Sequence, residues 1–239
     1  MHVLVTGAAG MVGHKLVERL VRDGEIGDAP ISRLTLVDLV EPSAEAPFPV
    51  EHVAADLSEP GAAIRVVASR PKLIFHLAAV VSGEAEADFE KGYRVNLDGT
   101  RALFDAAREY CPRVVFSSSI AVFGAPFPET IGDDYRSTPL TSYGAQKAIG
   151  ELLLSDYSRR RLLDGVGVRL PTICVRPGPP NRAASGFFSG IIREPLNGQD
   201  AVLPVPDDVR HWFASPRAAV GFLCTRRAST PACSAPTAA

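Results

Sequence analysis

Short apolar runs alternate along most of the chain with longer segments in which apolar residues recur at the spacing of an α-helix. The apolar runs predict strands at residues 2–5, 33–38, 50–54, 73–76, 113–117 and 167–174. The segments between and after them predict helices at residues 11–22, 60–69, 93–110, 142–160, 186–193 and 216–223. Strands this apolar suit burial on both faces, so the alternation predicts an α/β fold built on a doubly wound parallel sheet.

The pattern changes after Pro171. The segment Arg176-Pro-Gly-Pro-Pro-Asn-Arg182 can form neither a long helix nor a central strand. We therefore predict one domain over residues 1–170 and a small, truncated C-terminal substrate-binding region over residues 171–224. Residues 225–239 have no periodicity and almost no large apolar side chains, which predicts a disordered tail.

Bulk composition argues against several classes of function. The 239 residues are 46% hydrophobic with a formal net charge of −2, which gives no electrostatic footprint for nucleic acid or an anionic membrane. No apolar stretch is long enough to span a bilayer, and the first predicted strand directly follows Met1, so no signal peptide is expected. The four cysteines lack a CxxC pair or ligand-like spacing, which favours unpaired, reduced thiols in a cytoplasmic protein and no metal site.

A glycine motif, Thr6-Gly-Ala-Ala-Gly-Met-Val-Gly13, lies between the first predicted strand and the first predicted helix. This is the context in which glycine loops bind dinucleotides. Gly7 would allow a tight turn, Gly10 the approach of the backbone to a pyrophosphate, and Gly13 the close packing of helix and strand. The phosphates would then lie at the positive end of the helix. The spacing is one residue wider than the general fingerprint, and glycines also serve plain turns.

Asp38 strengthens the dinucleotide hypothesis. It ends the second predicted strand, where a carboxylate can accept hydrogen bonds from the hydroxyls of the adenosine ribose. Such a carboxylate repels a 2′-phosphate, and neither Leu39 nor Val40 offers a compensating cation. The sequence therefore favours NAD over NADP.

Further residues follow the third and fourth predicted strands at the edge of the sheet where such folds bind ligands. Ala78 and Ala79 would let a cofactor lie against the backbone, although small residues there could serve helix packing alone. Asn96 could contact the cofactor or be a helix N-cap or turn residue. The candidate cofactor-binding residues are Gly7, Gly10, Met11, Val12, Gly13, Asp38, Asp56, Leu57, Leu77, Ala78, Ala79, Asn96, Tyr143, Lys147 and Ile173.

A tyrosine and a lysine four residues apart, Tyr143 and Lys147, share one face of a predicted helix. The ammonium would favour the phenolate and bring the phenol towards useful basicity near neutral pH. Ser119 follows the fifth predicted strand, where its hydroxyl could hydrogen-bond a substrate oxygen while Tyr143 takes the proton. A buried structural phenol, a surface lysine and a polar loop are the alternatives, and the glycine motif favours catalysis over them.

These motifs, together with Ser117-Ser-Ser-Ile-Ala-Val-Phe-Gly124, resemble the extended short-chain dehydrogenase/reductases, the NAD-dependent epimerase/dehydratase group. The resemblance extends from residue 2 to about residue 222. It implies an NAD-binding Rossmann domain, a smaller C-terminal substrate region and the catalytic triad Ser119, Tyr143 and Lys147. It also implies that Lys147 binds the nicotinamide ribose, and that a homodimer forms through the helices at 93–110 and 142–160.

Other stretches resemble the branch of this family that oxidises D-erythronate, namely residues 78–89, 169–178 and 184–188. That resemblance implies oxidation of a four-carbon sugar acid at its 2-hydroxyl to a 2-oxo acid. A carboxylate substrate needs a cation or several donors, although the arginines and the asparagine proposed here could equally be surface or structural residues. The candidate substrate-binding residues are Ser82, Ser118, Ser119, Tyr143, Asn181, Arg182 and Arg210.

Two rival functions use the same fold. A nucleotide-sugar 4-epimerase would use the same serine, tyrosine and lysine and return the hydride to the other face. The segments 170–178 and 210–217 do not match those usual in nucleotide-sugar enzymes, and Ile120-Ala121 lacks the acidic pair of sugar dehydratases. A non-catalytic NAD-binding protein would have little use for both Tyr143 and Lys147.

Overall fold

A computed structural model describes residues 1–178 and 183–225. Its centre is a six-stranded parallel sheet, and the strands lie in the order β5-β4-β1-β6-β7-β8. These strands are β1 (His2–Thr6), β4 (Arg33–Asp38), β5 (Val50–Ala54), β6 (Leu73–His76), β7 (Arg113–Ser119) and β8 (Asp164–Leu170). The chain order reverses between β1 and β6, and at such a switch point the carboxyl ends of the strands form a ligand-binding crevice.

Two small sheets accompany the central one. Strands β2 (Glu25–Ile26) and β3 (Ala29–Pro30) form an antiparallel pair, and β9 (Thr172–Ile173) pairs in parallel with β10 (Phe213–Ala214). The helices are α1 (Met11–Asp23), α2 (Ala62–Val67), α3 (Ser82–Ala87), α4 (Phe89–Tyr93), α5 (Gly99–Ala107), α6 (Ser142–Arg159), α7 (Phe187–Leu196) and α8 (Pro216–Thr225). A π-helical segment (Arg94–Asp98) joins α4 to α5, and short 3₁₀ turns occur at Ile120–Val122 and Ala184–Gly186.

The predicted fold class is confirmed, and so are five of the six predicted strands. The sixth prediction, residues 167–174, is wrong at both ends. Strand β8 begins earlier, at Asp164, and ends at Leu170, while Thr172 and Ile173 pair with β10 in a separate sheet. Pro171 explains the break, because proline has no N–H to donate to a strand ladder.

The core has two layers, one on each face of the central sheet. Val3 and Val5 of β1 point into the layer beneath α1, while Leu4 points into the layer beneath α2 and α5. Val220 and Leu223 of α8 belong to the layer of α1 and are almost completely buried. The last described helix therefore packs on the sheet, although the sequence pattern predicts it within the substrate-binding region.

His76, the last residue of β6, is a buried polar residue. Nδ1 of His76 lies 2.7 Å from Thr6 Oγ1 and Nε2 lies 2.9 Å from Thr100 Oγ1. Because the Thr100 hydroxyl donates to Asn96 O, it accepts from Nε2–H, which leaves Nδ1 as an acceptor. His76 is thus a neutral core residue, and burial lowers its pKa to about 3.

This histidine is expected to destabilise the fold in acid. Its pKa rises from about 3 to the ordinary value of 6.5 on unfolding, so the unfolded chain binds the extra proton and stability is lost as the pH falls below 6.5. Between pH 7 and pH 4.5 the loss amounts to roughly 2–3 kcal/mol. Urea unfolding of a His76→Gln variant at both pH values should show a smaller loss, while the exposed His52→Gln control keeps the wild-type loss. An equal loss in both variants would contradict this assignment.

The structure also bears on the predictions for the cysteines, the C-terminal tail and membrane-spanning segments. Cys174 and Cys224 are free thiols, as predicted, whereas Cys111 is disulfide-bonded, so the prediction that all four cysteines are unpaired is wrong. Thr225 is helical, and the rest of the tail predicted to be disordered lies outside the described residues. No helix among residues 1–178 and 183–225 is long and apolar enough to cross a membrane.

Candidate active site

The glycine loop connects β1 to α1 at the carboxyl edge of the sheet. Gly7 has a φ of +72°, and a Cβ there would lie 2.7 Å from Ala78 N. A Cβ on Gly13 would lie 2.0 Å from Gly7 O, which is shorter than any contact that a Cβ and an oxygen atom can make. The loop can therefore turn tightly and let α1 approach β1 only because both positions lack a side chain.

Asp38 lies at the end of β4, beside this loop. Its Oδ2 accepts a hydrogen bond of 2.9 Å from Ala9 N–H, and its Oδ1 accepts one of 2.7 Å from Leu39 N–H. The carboxylate is thus fixed next to the glycine loop, and its remaining acceptor capacity faces the crevice that it lines.

Two connected cavities follow the carboxyl ends of the strands. The smaller, of about 340 Å³, reaches Asp38, Asp56 and Leu57, and the larger, of about 1050 Å³, reaches Tyr143 and Lys147. Both are lined by Gly7, Gly10, Leu77, Ala79 and Val80, so they form one groove across the edge of the sheet. Together they contain every candidate cofactor-binding residue except Asn96.

Ser119 and Tyr143 meet at the floor of the larger cavity. Ser119 ends β7, and the following 3₁₀ turn packs against the start of α6 so closely that a Cβ on Gly144 would lie 2.2 Å from Ala121 O. Thr141 caps α6 through a 3.0 Å bond from Gly144 N–H to its Oγ1. Ser119 and Tyr143 therefore line the same part of the larger cavity, and the nearby Ser119 hydroxyl acts to lower the pKa of the phenol.

Lys147 lies one turn further along α6 and is 2% exposed. Its Nζ donates a 2.9 Å hydrogen bond to Ser117 O and lies 5.7 Å from the centre of the Tyr143 ring and 4.9 Å from that of Phe116. Burial lowers the pKa of this ammonium to about 8. A lysine buried at such a cost in a cavity wall is typical of functional sites.

Residues 3–214 match the NAD dependent epimerase/dehydratase family. The chain belongs to this family. Its cofactor is accordingly NAD.

Curated relatives within the family are similar over most of the chain. A D-erythronate dehydrogenase of Cupriavidus necator is 52% identical over 93% of this chain and 71% of its own length. A second D-erythronate dehydrogenase, from Haemophilus influenzae, is 44% identical over 92% of this chain and 70% of its own length. A solved structure described as the nucleoside-diphosphate-sugar epimerase from Agrobacterium tumefaciens has a TM-score of 0.89 at 65% identity, covering 94% of this chain and 68% of that one.

The groove fits the NAD that this family uses. Because Gly7 and Gly13 lack side chains, the glycine loop leaves space that a Cβ at either position would fill. The loop leads into the N-terminus of α1, and the positive end of a helix favours a phosphate group. Asp38 is placed where an acid can accept from ribose hydroxyls. These residues would hold the adenosine and pyrophosphate, and Tyr143 and Lys147 line the far end of the groove.

Asn96 is neither a helix cap nor part of the cavity lining. It lies within the π-helical segment and is 1% exposed. Its Oδ1 accepts from Val80 N–H at 2.8 Å, and its Nδ2 donates to Val80 O at 3.2 Å and to Gln146 Oε1 at 2.8 Å. Its polar atoms are therefore used inside the protein, where they position Val80, a residue that lines both cavities.

The electrostatics of Tyr143 differ from the expectation that Lys147 makes it acidic. Burial raises the pKa of Tyr143 to about 12, and the opposing influences are the hydrogen bond with Ser119 and the positive charge of Arg176. The Lys147 ammonium lies 5.7 Å from the centre of the Tyr143 ring and donates to Ser117 O, and the effect of burial on the phenol exceeds that of the nearby charges. The phenol is therefore a strong base once ionised, and Ser119 and Arg176 both favour its ionisation.

The candidate substrate-binding residues have different surroundings. Ser82 Oγ accepts from Ala184 N–H at 3.0 Å, Ser118 Oγ donates to Glu151, and the exposed Arg210 lines the larger cavity. Asn181 and Arg182 lie outside the described residues.

Sequence reasoning missed two residues of this site. Gly144 allows Ser119 and Tyr143 to meet, and its position within the Tyr143-x-x-x-Lys147 motif was a signal that could have been used. Arg176 lines the larger cavity and interacts with Tyr143, although it begins a segment that reads only as a proline-rich loop. Its location depends on tertiary packing, so no local pattern reveals it.

Proposed function

We propose that the chain oxidises the 2-hydroxyl of a small sugar acid, D-erythronate or a close relative, to a 2-oxo acid with NAD. The observation that carries this proposal is the meeting of Ser119, Tyr143 and Lys147 at the end of a groove that fits NAD. The two D-erythronate dehydrogenases that are 52% and 44% identical over more than nine tenths of the chain support the substrate.

Each residue of the triad has a distinct task in this proposal. Tyr143, as phenolate, takes the proton of the substrate hydroxyl. Ser119 Oγ accepts from Ala121 N–H at 3.1 Å and keeps its single O–H as a donor, which would serve the phenolate before substrate binds and the substrate oxygen during the reaction. Lys147 uses one of its three donors on Ser117 O and supplies positive charge beside the phenol ring. Bound NAD would supply the ring that accepts the hydride.

Burial explains how a phenol can serve as the base. A phenolate with a pKa near 12 has enough affinity for a proton to take one from an alcohol, whereas an ordinary carboxylate has not. The disadvantage is that Tyr143 is ionised in only a small fraction of the protein molecules at neutral pH. The Ser119 hydrogen bond and the Arg176 charge reduce this disadvantage, since both favour the ionised form.

Turnover of D-erythronate tests the proposal. Purified protein with NAD and D-erythronate should produce reduced nicotinamide absorbance together with one equivalent of 2-oxo acid, which a carbonyl reagent detects. Stereoisomeric four-carbon acids serve as specificity controls. Tight NAD binding without turnover of any of these acids would contradict the proposal and favour a non-catalytic NAD-binding protein.

A second candidate, nucleotide-sugar 4-epimerase, is favoured by one observation. The solved structure described as a nucleoside-diphosphate-sugar epimerase is 65% identical to this chain at a TM-score of 0.89. An epimerase returns its hydride to the sugar, so it converts UDP-glucose to UDP-galactose without added NAD and without net absorbance change. The same protein preparation assayed with both substrates separates the two functions.

The assembly is also a proposal. We infer a homodimer through the neighbouring helices α4, α5 and α6, because the apolar side chains Phe89 on α4 and Leu152 on α6 expose 54% and 71% of their surface. Sedimentation equilibrium decides this, and a monomeric mass at micromolar concentration would rule it out.

We also propose that the protein acts in the cytoplasm, on a metabolite rather than on a nucleic acid or membrane, and fractionation of cells producing it would test the location.

A further inference from the structure

Three arginines among the described residues line the larger cavity, and their surroundings differ. Arg193 forms an ion pair with Glu194, and Arg210 is exposed to solvent. Arg176 is half-buried and lines the cavity beside Tyr143, and the charge interaction between the two side chains favours the charged forms of both. Arg176 is therefore the cavity arginine whose charge reaches the proposed base.

Helix α7 fixes the backbone of Arg176 from two directions. Its N–H donates a 3.0 Å hydrogen bond to Oγ of Ser189, which is 1% exposed, and its carbonyl accepts a 2.9 Å bond from Arg193 Nη1. Its own Nε donates to Ile173 O at 3.3 Å. An arginine held at both the backbone and the side chain is pre-organised, so little entropy is lost when a ligand binds it.

The chemistry of a 2-hydroxy acid specifies where its anion must be bound. The carboxylate is attached to the carbon that carries the reacting hydroxyl, so the group that binds the carboxylate must be a neighbour of the base. Arg176 meets this condition, since it lines the same cavity as Tyr143 and its Nε is held at Ile173 O in the wall of that cavity. A guanidinium also matches a carboxylate in shape and can donate two parallel hydrogen bonds to it.

We propose that Arg176 binds the substrate carboxylate and so makes the site selective for acids over neutral analogues. This inference rests on the proposed oxidation of a 2-hydroxy acid and adds to it the residue that recognises the acid. Pairing of the carboxylate with Arg176 would also align the adjacent hydroxyl with Tyr143, because the two groups are joined through one carbon. Arg176 would thus determine both substrate class and orientation.

Comparison of D-erythronate with the neutral D-erythronamide tests the selectivity. The wild type should prefer the acid by roughly 100-fold in kcat/KM, the value of a charged, partly buried hydrogen-bonded pair. In Arg176→Gln this preference should fall to less than about threefold, mainly through a higher KM for the acid, with the Kd for NAD unchanged. Arg176→Lys should recover part of the preference, and the exposed Arg217→Gln control should keep all of it.

A binding measurement separates this inference from the proposed function. D-erythronate should raise the melting temperature of the wild-type complex with NAD more than D-erythronamide does, and Arg176→Gln should lose that difference. If no acid is turned over but binding of the acid still requires Arg176, the proposed function fails and the inference stands. An unchanged acid preference in Arg176→Gln, its loss in Arg210→Gln instead, or the absence of any acid preference in the wild type would overturn the inference.

Discussion

The Tyr143→Phe variant is expected to lose at least about 1000-fold in kcat for D-erythronate, within the range that general base catalysis contributes. The substitution removes one oxygen, the atom near Ser119 that is proposed to take the substrate proton. The ring that packs beside Lys147 remains, so the groove keeps its shape. Steady-state kinetics should show the loss in kcat with little change in the Kd for NAD.

Tyr157→Phe is the matched control, because it makes the same change on the same helix. The Tyr157 hydroxyl donates a 2.7 Å bond to Asp105 and does not line either cavity. This variant should lose a modest amount of stability and keep its kcat. Retention of most of the wild-type rate by Tyr143→Phe, or an equal loss in both variants, would show that the phenol of Tyr143 is not the base.

Most of the central sheet could be predicted from the sequence, because its strands are short, apolar and bounded by turn residues. Residues 33–38, 50–54 and 73–76 coincide with β4, β5 and β6. The apolar residues of β4 and β6 are buried in the middle of the sheet, whereas β5 is an edge strand whose residues are exposed or half-buried. The sixth strand failed because an apolar run continues through Pro171 into β9, and apolar pattern alone does not show that the chain changes sheets there. Helix α8 illustrates the same limit, since its packing against α1 is a long-range contact.

The site residues could be predicted where their roles depend on neighbours that are close in the sequence. Gly7, Gly13 and the pair Tyr143 and Lys147 have roles set by spacing within one loop or one helix turn, and the structure brings them to a single groove. Arg176 was not predictable, because its proximity to Tyr143 depends on how α7 holds its backbone. The direction of the Tyr143 pKa was also beyond the sequence, since desolvation depends on the whole fold and here exceeds the influence of any nearby charge.

The Gly13→Ala variant is expected to bind NAD at least about 100-fold more weakly, which corresponds to roughly 3 kcal/mol. The added methyl would lie 2.0 Å from Gly7 O and 2.8 Å from Gly7 C, and these backbone atoms cannot rotate away. Helix propensity favours alanine over glycine by about 1 kcal/mol, but overpacking against backbone costs about 1–3 kcal/mol or more and should outweigh it. Calorimetric titration with NAD and urea unfolding should show both losses.

Two other glycines supply controls for this prediction. Gly221 lies inside α8, and outside its own helix turn no described residue has an atom within 4 Å of the position that an added methyl group would occupy, so Gly221→Ala should be slightly stabilising and leave NAD binding unchanged. Gly10→Ala is intermediate, because its Cβ would lie 3.3 Å from Gly7 O, a contact that a small shift can relieve. The expected order of NAD affinity is therefore Gly221→Ala, then Gly10→Ala, then Gly13→Ala. If Gly13→Ala bound NAD as tightly as Gly221→Ala, the glycine loop would not be the phosphate cradle, because a loop forced away from α1 cannot keep its N–H groups in place.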